Sequence, residues 1–427
     1  MRNDNYKPRI MDKVIQRYLS IAGAICVEGP KWCGKTWTSR HNSKSEFLVG
    51  SPYNNFANRK LANFNPELVL DGEYPKMIDE WQEAPALWDA TRAKVDEIGE
   101  KGLFILTGSA TPKYKGILHS GAGRIVSLRM SPMTLYESED SVGIVSLKEI
   151  CSKDFNPKPT YVKELDYEQL SYLIVRGGWP NNIGSSIDNC DVIVKSYIKT
   201  ILKQELVDEN DNKYSPEKIE LILKSLARNT STTVSDRSIL KDISQNENDN
   251  PISRPTLTKY LDFLNSMFLF DNLKPFSLDA RSSLRVKQKD KRYFCDPSLA
   301  CALLDLSPAK IQRDLNLYGL LFESLVIRDL KVYSRAMDAK IYHYQDYLDN
   351  EIDVVIELKD GDWCAFEIKL GSNKVDEAAE TLNKTISNIV KNNNRPPILK
   401  CIIVGFGNVI YKREDGILVV PINALKD

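Results

Sequence analysis

Residues 29–36 spell G-x-x-x-x-G-K-[ST], the spacing of a phosphate-binding loop. The glycines let successive backbone N–H groups turn inward around phosphate oxygens, and a helix that begins at the loop adds its positive end. Lys35 would reach the β- and γ-phosphates, and Thr36 would hold Mg²⁺ through its hydroxyl group. An apolar strand before the motif and a potential helix start after it supply the required context. The predicted nucleotide-contacting residues are Gly29, Pro30, Lys31, Trp32, Cys33, Gly34, Lys35, Thr36 and Trp37.

Two carboxylates at the end of a short apolar stretch supply the second half of this site. Residues 76–78 are typical of a buried strand, and Asp79 and Glu80 follow directly. Asp79 would enter the Mg²⁺ shell, while Glu80 would orient and deprotonate the attacking water. The next predicted strand ends in Thr107-Gly108-Ser109, where a hydroxyl group can contact the γ-phosphate or the water. An ordinary strand-ending turn would explain those hydroxyl residues equally well.

A second group of candidate residues lies near the end of the sequence. Asp353 falls on the polar face of a strand predicted over residues 351–358, and Glu367 and Lys369 share a face of the next strand. Glu323, on the preceding helix, can point at the same spot. The three carboxylates, as Mg²⁺ ligands, and a lysine that steadies the nucleophile would together cut a phosphodiester. The alternative is ordinary: a half-buried strand must place polar residues on its wet face.

This order of residues is similar to that of the PD-(D/E)xK nuclease superfamily. A helical Glu, then an Asp, then Glu-x-Lys are expected on a helix–strand–strand–strand–helix–strand core, although the sequence lacks a Pro before Asp353.

Strict alternation along the strand predicted over residues 351–358 predicts one apolar face formed by Ile352, Val354, Ile356 and Leu358, and an opposite face formed by Glu351, Asp353, Val355 and Glu357.

Residues 216–292 form a helical segment with a pattern typical of a winged helix. Apolar residues recur at helical spacing within 219–226 and 257–264, with a short helix predicted around 237–243. Two strand-like pieces near 267–273 and 292–295 would close the unit as a hairpin.

DNA is the expected partner of this segment, through residues 253–259 and 281–292. Arg254, Thr256 and Lys259 lie off the apolar stripe and can meet phosphates or base edges. A basic run follows, formed by Arg281, Arg285, Lys287, Lys289, Lys291 and Arg292. Backbone binding by such a run should weaken steeply with salt. The alternative is a solvated hairpin on a helical packing module.

The remaining elements must position these sites. The strands predicted to flank the nucleotide site are residues 21–28, 68–70, 76–78 and 103–106, and their spacing favours a parallel α/β layer. Residues 136–212 are predicted to be mostly helical, with a turn at residues 176–180. In the last part we predict helices over residues 317–333 and 374–391 and strands over 341–347, 351–358, 363–370 and 400–404.

Length and composition limit the class of protein. The 427 residues predict several domains, and 58 basic against 58 acidic residues exclude a global positive field. Any nucleic-acid contact must therefore come from a local patch. Eight scattered cysteines without a C-x-x-C pair argue against zinc ribbons and disulfide frameworks. No stretch approaches the roughly 18 apolar residues of a membrane span, and we expect a cytoplasmic protein.

Taken together, the motifs resemble the AAA-type ATPase domain that occurs with a DUF4143 region in many bacterial and archaeal proteins. The motifs that carry this resemblance are VEGPKWCGKT, MIDEWQEAP, FILTGSA, GAGRIVSLRMSPMTLYE, LIVRGGWP, YFCDPSLACALL, LYGLLFESLVIRDL and EIDVVIE with CAFEIK. They span nearly the whole chain.

The resemblance implies a P-loop fold that uses ATP with Mg²⁺, and a sensor residue matched by Thr107 or Ser109. It also implies an arginine, matched by Arg124, which in oligomeric relatives can contact a neighbour's nucleotide. A homo-oligomer is compatible with this, and so is a simple ion pair of Arg124 within its own domain. The expected domains are an AAA-type ATPase core (1–135), a helical connector (136–212), a winged-helix-like domain (213–292) and a nuclease-like α/β domain (293–427).

Three functions remain open from the sequence. The first is an ATP-hydrolysing enzyme whose nucleotide state is coupled to a winged-helix and nuclease-like body that acts on DNA. The second is a nucleotide-gated switch that recruits a protein partner, with the nuclease-like fold inactive. The third is a nuclease in its own right, in which ATP serves only to permit cutting. Glu80 favours turnover over passive binding, because a pure switch needs no positioned base.

Overall fold

The computed structural model describes residues 6–108, 117–153, 155–204, 213–244, 252–277, 289–391 and 395–427. The chain divides into two compact units. The first is formed mainly by the chain up to Pro132 together with Asp262–Leu269, and the second by most of the chain from Met133 onward. The predicted division into four domains stays a prediction.

The first unit is built on a parallel sheet of five strands in the order β2-β3-β4-β1-β5. The strands are β1 (Ala24–Glu28), β2 (Ser45–Leu48), β3 (Lys76–Asp79), β4 (Phe104–Gly108) and β5 (Ile125–Arg129). The helices are α1 (Ile10–Leu19), α2 (Lys35–His41), α3 (Tyr53–Phe64), α4 (Pro66–Leu70) and α5 (Ala86–Ile98). Since β1 lies between β4 and β5, with β3 next to β4, the carboxyl ends of these strands meet at one edge of the sheet. The predicted parallel α/β layer is confirmed.

The strand predicted over residues 68–70 is wrong, because these residues belong to helix α4. Pro66 occupies the first turn, and the side chain of Asn65 accepts a hydrogen bond from the Leu68 N–H at 3.4 Å. Both features favour a helix start. Three apolar residues are too few for periodicity to separate a strand from a buried helical turn.

The second unit begins with short elements that only partly match the helical prediction for 136–212. They are β6 (Val145–Ser146), α6 (Leu147–Ile150), β7 (Thr160–Tyr161), α7 (Tyr167–Arg176) and α8 (Val192–Gln204). Helix α7 ends where the turn was predicted: Gly177 has a φ of 68°, and a Cβ atom on Gly178 would lie 2.1 Å from the Met133 carbonyl oxygen. Glycine is therefore required at both positions.

Three helices form the middle of the chain, as the periodicity predicts. They are α9 (Pro216–Arg228), α10 (Asp236–Ser244) and α11 (Arg254–Ser266). The two strand-like pieces meet only through isolated antiparallel bridges, Phe270 with Phe294 and Leu273 with Lys291. The regular strand in this region is β8 (Lys274–Pro275), which joins the sheet of the second unit. The winged-helix assignment remains a prediction.

The second unit contains an eight-stranded mixed sheet in the order β7-β13-β14-β12-β11-β10-β9-β8. Its remaining strands are β9 (Lys340–Gln345), β10 (Glu351–Glu357), β11 (Trp363–Gly371), β12 (Leu399–Phe406), β13 (Val409–Lys412) and β14 (Leu418–Pro421), while β15 (Leu425–Lys426) pairs with β6. The helices are α12 (Pro297–Leu303), α13 (Pro308–Ile311), α14 (Leu315–Ala336) and α15 (Val375–Lys391). The succession α14-β9-β10-β11-α15-β12 is the predicted order of elements.

A β-bulge in β10 changes the predicted facing of its side chains. Ile352 is paired with Tyr344, whereas Val355 is paired with Tyr342, so three steps on β10 match two on β9. Ile352 and Val355 consequently belong to the same hydrophobic core, contrary to strict alternation. The extra residue bends the strand beside Asp353, a position where bulges commonly re-aim functional side chains.

None of the helices in the described parts of the chain combines the length and the apolar character that crossing a bilayer requires.

Candidate functional site

The phosphate loop connects β1 to α2 at the carboxyl edge of the five-stranded sheet. Gly34, at the N-cap of α2, has a φ of 104°, and Trp32 has a φ of 68°. Such angles favour glycine and are strained for tryptophan, so the surrounding contacts must hold the loop in this shape. The loop packs closely on its neighbours, because a Cβ atom on Gly29 would lie 2.3 Å from the Met130 carbonyl oxygen.

Lys35 is buried under the loop, with a 6% exposed fraction. Its ammonium group donates hydrogen bonds to the carbonyl oxygens of Gly29 at 3.0 Å and Pro30 at 2.9 Å. The positive charge is thus held on the loop itself, among the backbone groups that would surround a phosphate.

The other residues of the motif differ in accessibility. Cys33 is fully buried, which fits a small residue that fills the loop, and Lys31 is half-buried. Trp32 and Trp37 are 43% and 50% exposed. The Arg40 guanidinium lies 5.7 Å from the centre of the Trp37 ring, a cation–π distance.

Asp79 is the centre of a polar network that joins the ends of β3 and β4 to the first turn of α2. Its Oδ1 accepts hydrogen bonds from the Thr36 hydroxyl at 2.9 Å and from the Thr107 hydroxyl at 2.5 Å. Thr107 in turn accepts a hydrogen bond from the backbone N–H of Glu80 at 3.2 Å. Burial raises the pKa of Asp79, and the hydrogen bonds from Thr107 and Thr36 oppose that shift. The structure therefore brings together the four residues that the sequence analysis placed around Mg²⁺ and the water.

Glu80 occupies a strained backbone position directly after β3. Its φ of 55° and ψ of 47° are left-handed, which is uncommon for a residue with a side chain and is frequent at functional sites. The Glu80 carboxylate accepts a hydrogen bond from the side chain of Gln82. Gln82 orients this carboxylate, a contact that sequence motifs do not reveal.

The donor set fits Mg²⁺. A threonine hydroxyl and a carboxylate lie within hydrogen-bond distance of each other, and hard oxygen ligands of these two types are what Mg²⁺ takes beside nucleotide phosphates. Thr36 and Asp79 would hold the ion. Ser109, the other predicted sensor, lies outside the described residues.

Arg124 lies just before β5 and forms an ion pair within its own unit. Its Nε is 2.8 Å from the Asp96 carboxylate, and its side chain is 47% exposed. This contact matches the intradomain alternative, and the role of Arg124 toward a neighbouring nucleotide stays a prediction.

The second candidate site is a buried charge cluster on β10 and β11. The Lys369 Nζ lies 2.8 Å from Glu367 and 3.6 Å from Asp353, and Asp353 also accepts a 2.9 Å hydrogen bond from the Ile368 N–H. Burial raises the pKa of Glu367 to about 8, and the nearby Asp353 charge adds to the shift. Burial also acts to raise the pKa of Asp353, but Lys291 and Lys369 outweigh it and leave that pKa below its ordinary value.

A lysine that the sequence analysis did not place here lies at the centre of this cluster. The Lys291 Nζ is 2.8 Å from Glu323, 2.8 Å from Glu351 and 3.4 Å from Asp353. The Tyr293 hydroxyl donates a further hydrogen bond to Glu323. Burial raises the pKa of Glu323 to about 7, against the opposing effect of Lys291.

The cluster does not fit a divalent cation. The Lys291 ammonium lies where Glu323 and Asp353 would both have to face the ion, and Lys369 engages Glu367. Among the residues that the structure describes, no group of three or more His, Cys, Asp or Glu side chains is arranged to hold a metal. The metal role predicted for Glu323, Asp353 and Glu367 therefore finds no support in this geometry, and we derive no nuclease step from it.

The predicted DNA-contacting residues are divided by the structure. Arg254 and Lys259, on α11, are exposed, and Thr256 is half-buried against Ser253. From the basic run, Lys291 is buried in the charge cluster and Arg292 pairs with Asp236 at 2.6 Å. Residues 278–288, which include Arg281, Arg285 and Lys287, lie outside the described residues, and Lys289 is exposed.

Several of the sequence motifs converge on a second buried ion network in the second unit. The Arg328 guanidinium lies 2.9 Å from Asp296 and 2.7 Å from Asp329. Asp296 accepts a hydrogen bond from the Gly178 N–H, and Asp329 accepts one from the Leu135 N–H, each at 2.9 Å. Four separate motifs thus meet through complementary charges and backbone donors. Their residues organise the core of the unit rather than an open site.

Comparisons with known proteins agree with the nucleotide-binding geometry. Residues 22–139 match the family model of an AAA domain, residues 167–310 match DUF8612, a domain of unknown function, and residues 318–425 match DUF4143, also a domain of unknown function. The chain thus contains an AAA domain followed by a DUF4143 region.

Two uncharacterized proteins, from Mycobacterium bovis and Mycobacterium tuberculosis, are each 24% identical to this chain over 363 residues, which cover 83% of this chain and 72% of theirs. Among solved structures, the Aeropyrum pernix ORC2 protein, described in ADPNP–ADP complexes, is 13% identical with a TM-score of 0.32, over 74% of this chain and 98% of that one.

Proposed function

We propose that this protein binds ATP with Mg²⁺ and hydrolyses it at the carboxyl edge of the five-stranded sheet. The observation that carries the proposal is the network in which Asp79 accepts hydrogen bonds from both Thr36 and Thr107, with Glu80 next to it. A phosphate loop alone would support binding. The Glu80 carboxylate, which directly follows Asp79 and accepts a hydrogen bond from the Gln82 side chain, supports turnover.

Each residue has a distinct part in this reaction. Lys35 and the backbone N–H groups of the loop bind the phosphates, while Thr36 and Asp79 hold Mg²⁺, which neutralises charge on the phosphate oxygens when it is bound. Glu80 orients the attacking water and accepts its proton. Thr107 fixes both acidic residues, because its hydroxyl bonds the Asp79 side chain and the Glu80 backbone.

The experiment is phosphate release from ATP with Mg²⁺, paired with nucleotide binding, in the full chain and two variants. Lys35→Ala should lose both binding and turnover. Glu80→Gln should keep binding and lose turnover by roughly 10²- to 10⁴-fold, the contribution of a general base. Turnover that persists in Glu80→Gln would show that another group is the base, and unchanged binding in Lys35→Ala would refute the site itself.

A nucleotide-gated switch would give a different pattern in the same experiment. Wild-type protein would bind ATP tightly without turnover, and Glu80→Gln would behave like wild type. The left-handed backbone of Glu80 favours the ATP-hydrolysing enzyme over the switch. Such a conformation costs of order 1–3 kcal/mol of folding free energy, and residues that adopt it cluster at functional sites.

We also propose that the helical segment around α11 contacts the DNA backbone and links it to the nucleotide state. The support is the pair of exposed cations Arg254 and Lys259 on one helix. Replacing both with Ala should reduce affinity for mixed duplex DNA and lower the slope of log K against log salt by about 0.9 per lost phosphate contact. Lys224→Ala, at a surface ion pair on α9, is the matched control. An unchanged affinity in the double variant would refute this contact.

A further inference from the structure

The guanidinium group of Arg9 lies behind the phosphate loop. Arg9 precedes helix α1 and is only 6% exposed. One of its terminal nitrogens donates a hydrogen bond to the carbonyl oxygen of Cys33 at 2.9 Å, and the other donates to the carbonyl oxygen of Ser131 at 2.9 Å. A buried cation is therefore joined to two backbone carbonyls, one of which is inside the phosphate-binding motif.

The bond to Cys33 fixes the orientation of a peptide group that matters for phosphate binding. In a trans peptide, the C=O of one residue and the N–H of the next point in opposite directions. Because Arg9 holds the Cys33 carbonyl from the protein side, the Gly34 N–H is directed away from Arg9. Gly34 is the N-cap of α2, where backbone N–H groups form the anion site of such a loop.

A polar network ties the segment that carries Arg9 to the helix after the loop. The Asp12 carboxylate accepts hydrogen bonds from the Arg9 N–H at 2.7 Å, from the Tyr6 hydroxyl at 2.8 Å and from the Asn42 amide at 2.7 Å. Tyr6 also bonds the Thr38 hydroxyl of α2 at 3.2 Å. The segment that carries Arg9 is consequently fixed by its own contacts with α2 and Asn42, and the position of Arg9 does not depend on the phosphate loop alone.

The bond to Ser131 connects the loop to the segment that follows β5. The backbone of Met130 already packs against Gly29, with its N–H bonded to the Glu28 carbonyl at 2.7 Å. Arg9 joins this segment to the opposite end of the loop, at Cys33. The two ends of the phosphate loop are thus fastened to one short stretch of backbone.

We propose that Arg9 is a positioning residue for ATP binding, which orients the Cys33–Gly34 peptide so that its N–H faces the nucleotide phosphates. This inference rests on the proposed ATP binding at the loop. Arg9 itself would not contact the phosphates. Its contribution is to remove the alternative peptide orientation, in which a carbonyl dipole would face the anion.

The test compares Arg9→Met and Arg9→Lys with the control Arg17→Met, a substitution in the last turn of α1. Affinities for ATP and for ADP without Mg²⁺ are measured from the fluorescence of the exposed Trp32 and Trp37, and KM and kcat from phosphate release. In Arg9→Met the Gly34 N–H would lose its hydrogen bond to the phosphate. The loss of one such charge-assisted bond predicts that the affinities for ATP and for ADP both fall by roughly 10- to 100-fold. KM should rise with kcat little changed, because ground and transition states lose the same contact. Arg9→Lys, which keeps the charge but has one nitrogen donor, should restore part of the affinity.

Thermal unfolding without nucleotide separates positioning from simple loss of stability. If Arg9→Met melts at a lower temperature but binds ADP and ATP within about two-fold of wild type, the inference is wrong and Arg9 is structural. If Arg9→Met does not fold, Arg9→Gln takes its place, because its uncharged amide nitrogen ends two bonds short of the terminal nitrogens of Arg9, and an affinity within about two-fold of wild type would overturn the inference. Failure of the proposed function looks different: wild type and Lys35→Ala would then show the same absence of binding.

Discussion

The charge cluster around Lys291 allows a quantitative prediction about the second unit. Lys291 is 3% exposed, and its ammonium contacts Glu323, Glu351 and Asp353. Replacing Lys291 with Met keeps much of the buried volume and removes the charge. Three carboxylates then lose a shared counter-ion, two of them nearly buried. Removing one partner from a buried ion pair costs about 3–5 kcal/mol, and we expect Lys291→Met to fall in the upper part of that range.

The assay is urea unfolding of the full chain, followed by circular dichroism, at pH 8 and pH 6. The matched control is Lys289→Met, two residues earlier and exposed, which should change the free energy of unfolding by less than about 0.5 kcal/mol. The defect of Lys291→Met should shrink as the pH falls. A buried carboxyl with a pKa raised above its unfolded value binds a proton preferentially in the folded state, so protonation of Glu323, already near a pKa of about 7, replaces the lost ammonium.

Two results would refute this reasoning. One is a loss below about 1 kcal/mol at pH 8, which would mean that Lys291 is not a buried counter-ion. The other is stabilisation of nucleotide-free wild type by Mg²⁺ or Mn²⁺ that disappears in Asp353→Asn. That result would show a divalent cation at the cluster and restore the metal-dependent nuclease hypothesis.

Three further outcomes can be checked on the same protein. The pKa of His343, lowered to about 4 from 6.5 mainly by burial, predicts that the unfolded state protonates first. His343 by itself should therefore lower the free energy of unfolding by about 3 kcal/mol as the pH falls from 6.5 to 4, and in urea titrations the difference between wild type and a His343→Gln variant should change by that amount over this range. Thr107→Val should reduce kcat more than nucleotide affinity in phosphate-release assays, because its hydroxyl positions Asp79 and Glu80. If the ion pair with Asp96 is the only role of Arg124, Arg124→Ala should leave turnover per active site unchanged at every protein concentration of a dilution series. A loss of turnover that depends on protein concentration would indicate that Arg124 acts on a neighbouring subunit.

Local sequence was sufficient to predict which residues meet at the candidate nucleotide site, because each part of that site is defined by a short pattern. The loop needs glycines, a lysine and a hydroxyl residue at fixed spacing, and parallel strands bring their carboxyl ends to one edge whatever their loops contain. Asp79, Thr36 and Thr107 could therefore be placed together from three separate stretches of sequence. The strained backbone of Glu80 and the contact with Gln82 could not, since neither has a pattern of its own.

The same limit explains the elements that the sequence predicted wrongly. The three apolar residues 68–70 are compatible with a buried strand and with a buried helical turn. The N-cap at Asn65 favours the helix that the structure shows. On β10 the alternation of polar and apolar residues is real, but the bulge between Ile352 and Val355 changes which of them face the core. A bulge depends on the partner strand, which the strand's own sequence does not contain.

By itself the sequence determined the phosphate loop, the acidic strand end, the parallel layer around them and the order of the elements that follow. Only the tertiary structure decided where two basic residues act. Lys291 looked like part of a solvent-facing run but lies among carboxylates contributed by α14 and β10, and Arg9, near the start of the chain, bonds Cys33 and Ser131. The physical reason is that a charge responds to whatever lies within a few ångströms, and chain topology alone determines which distant residues lie there.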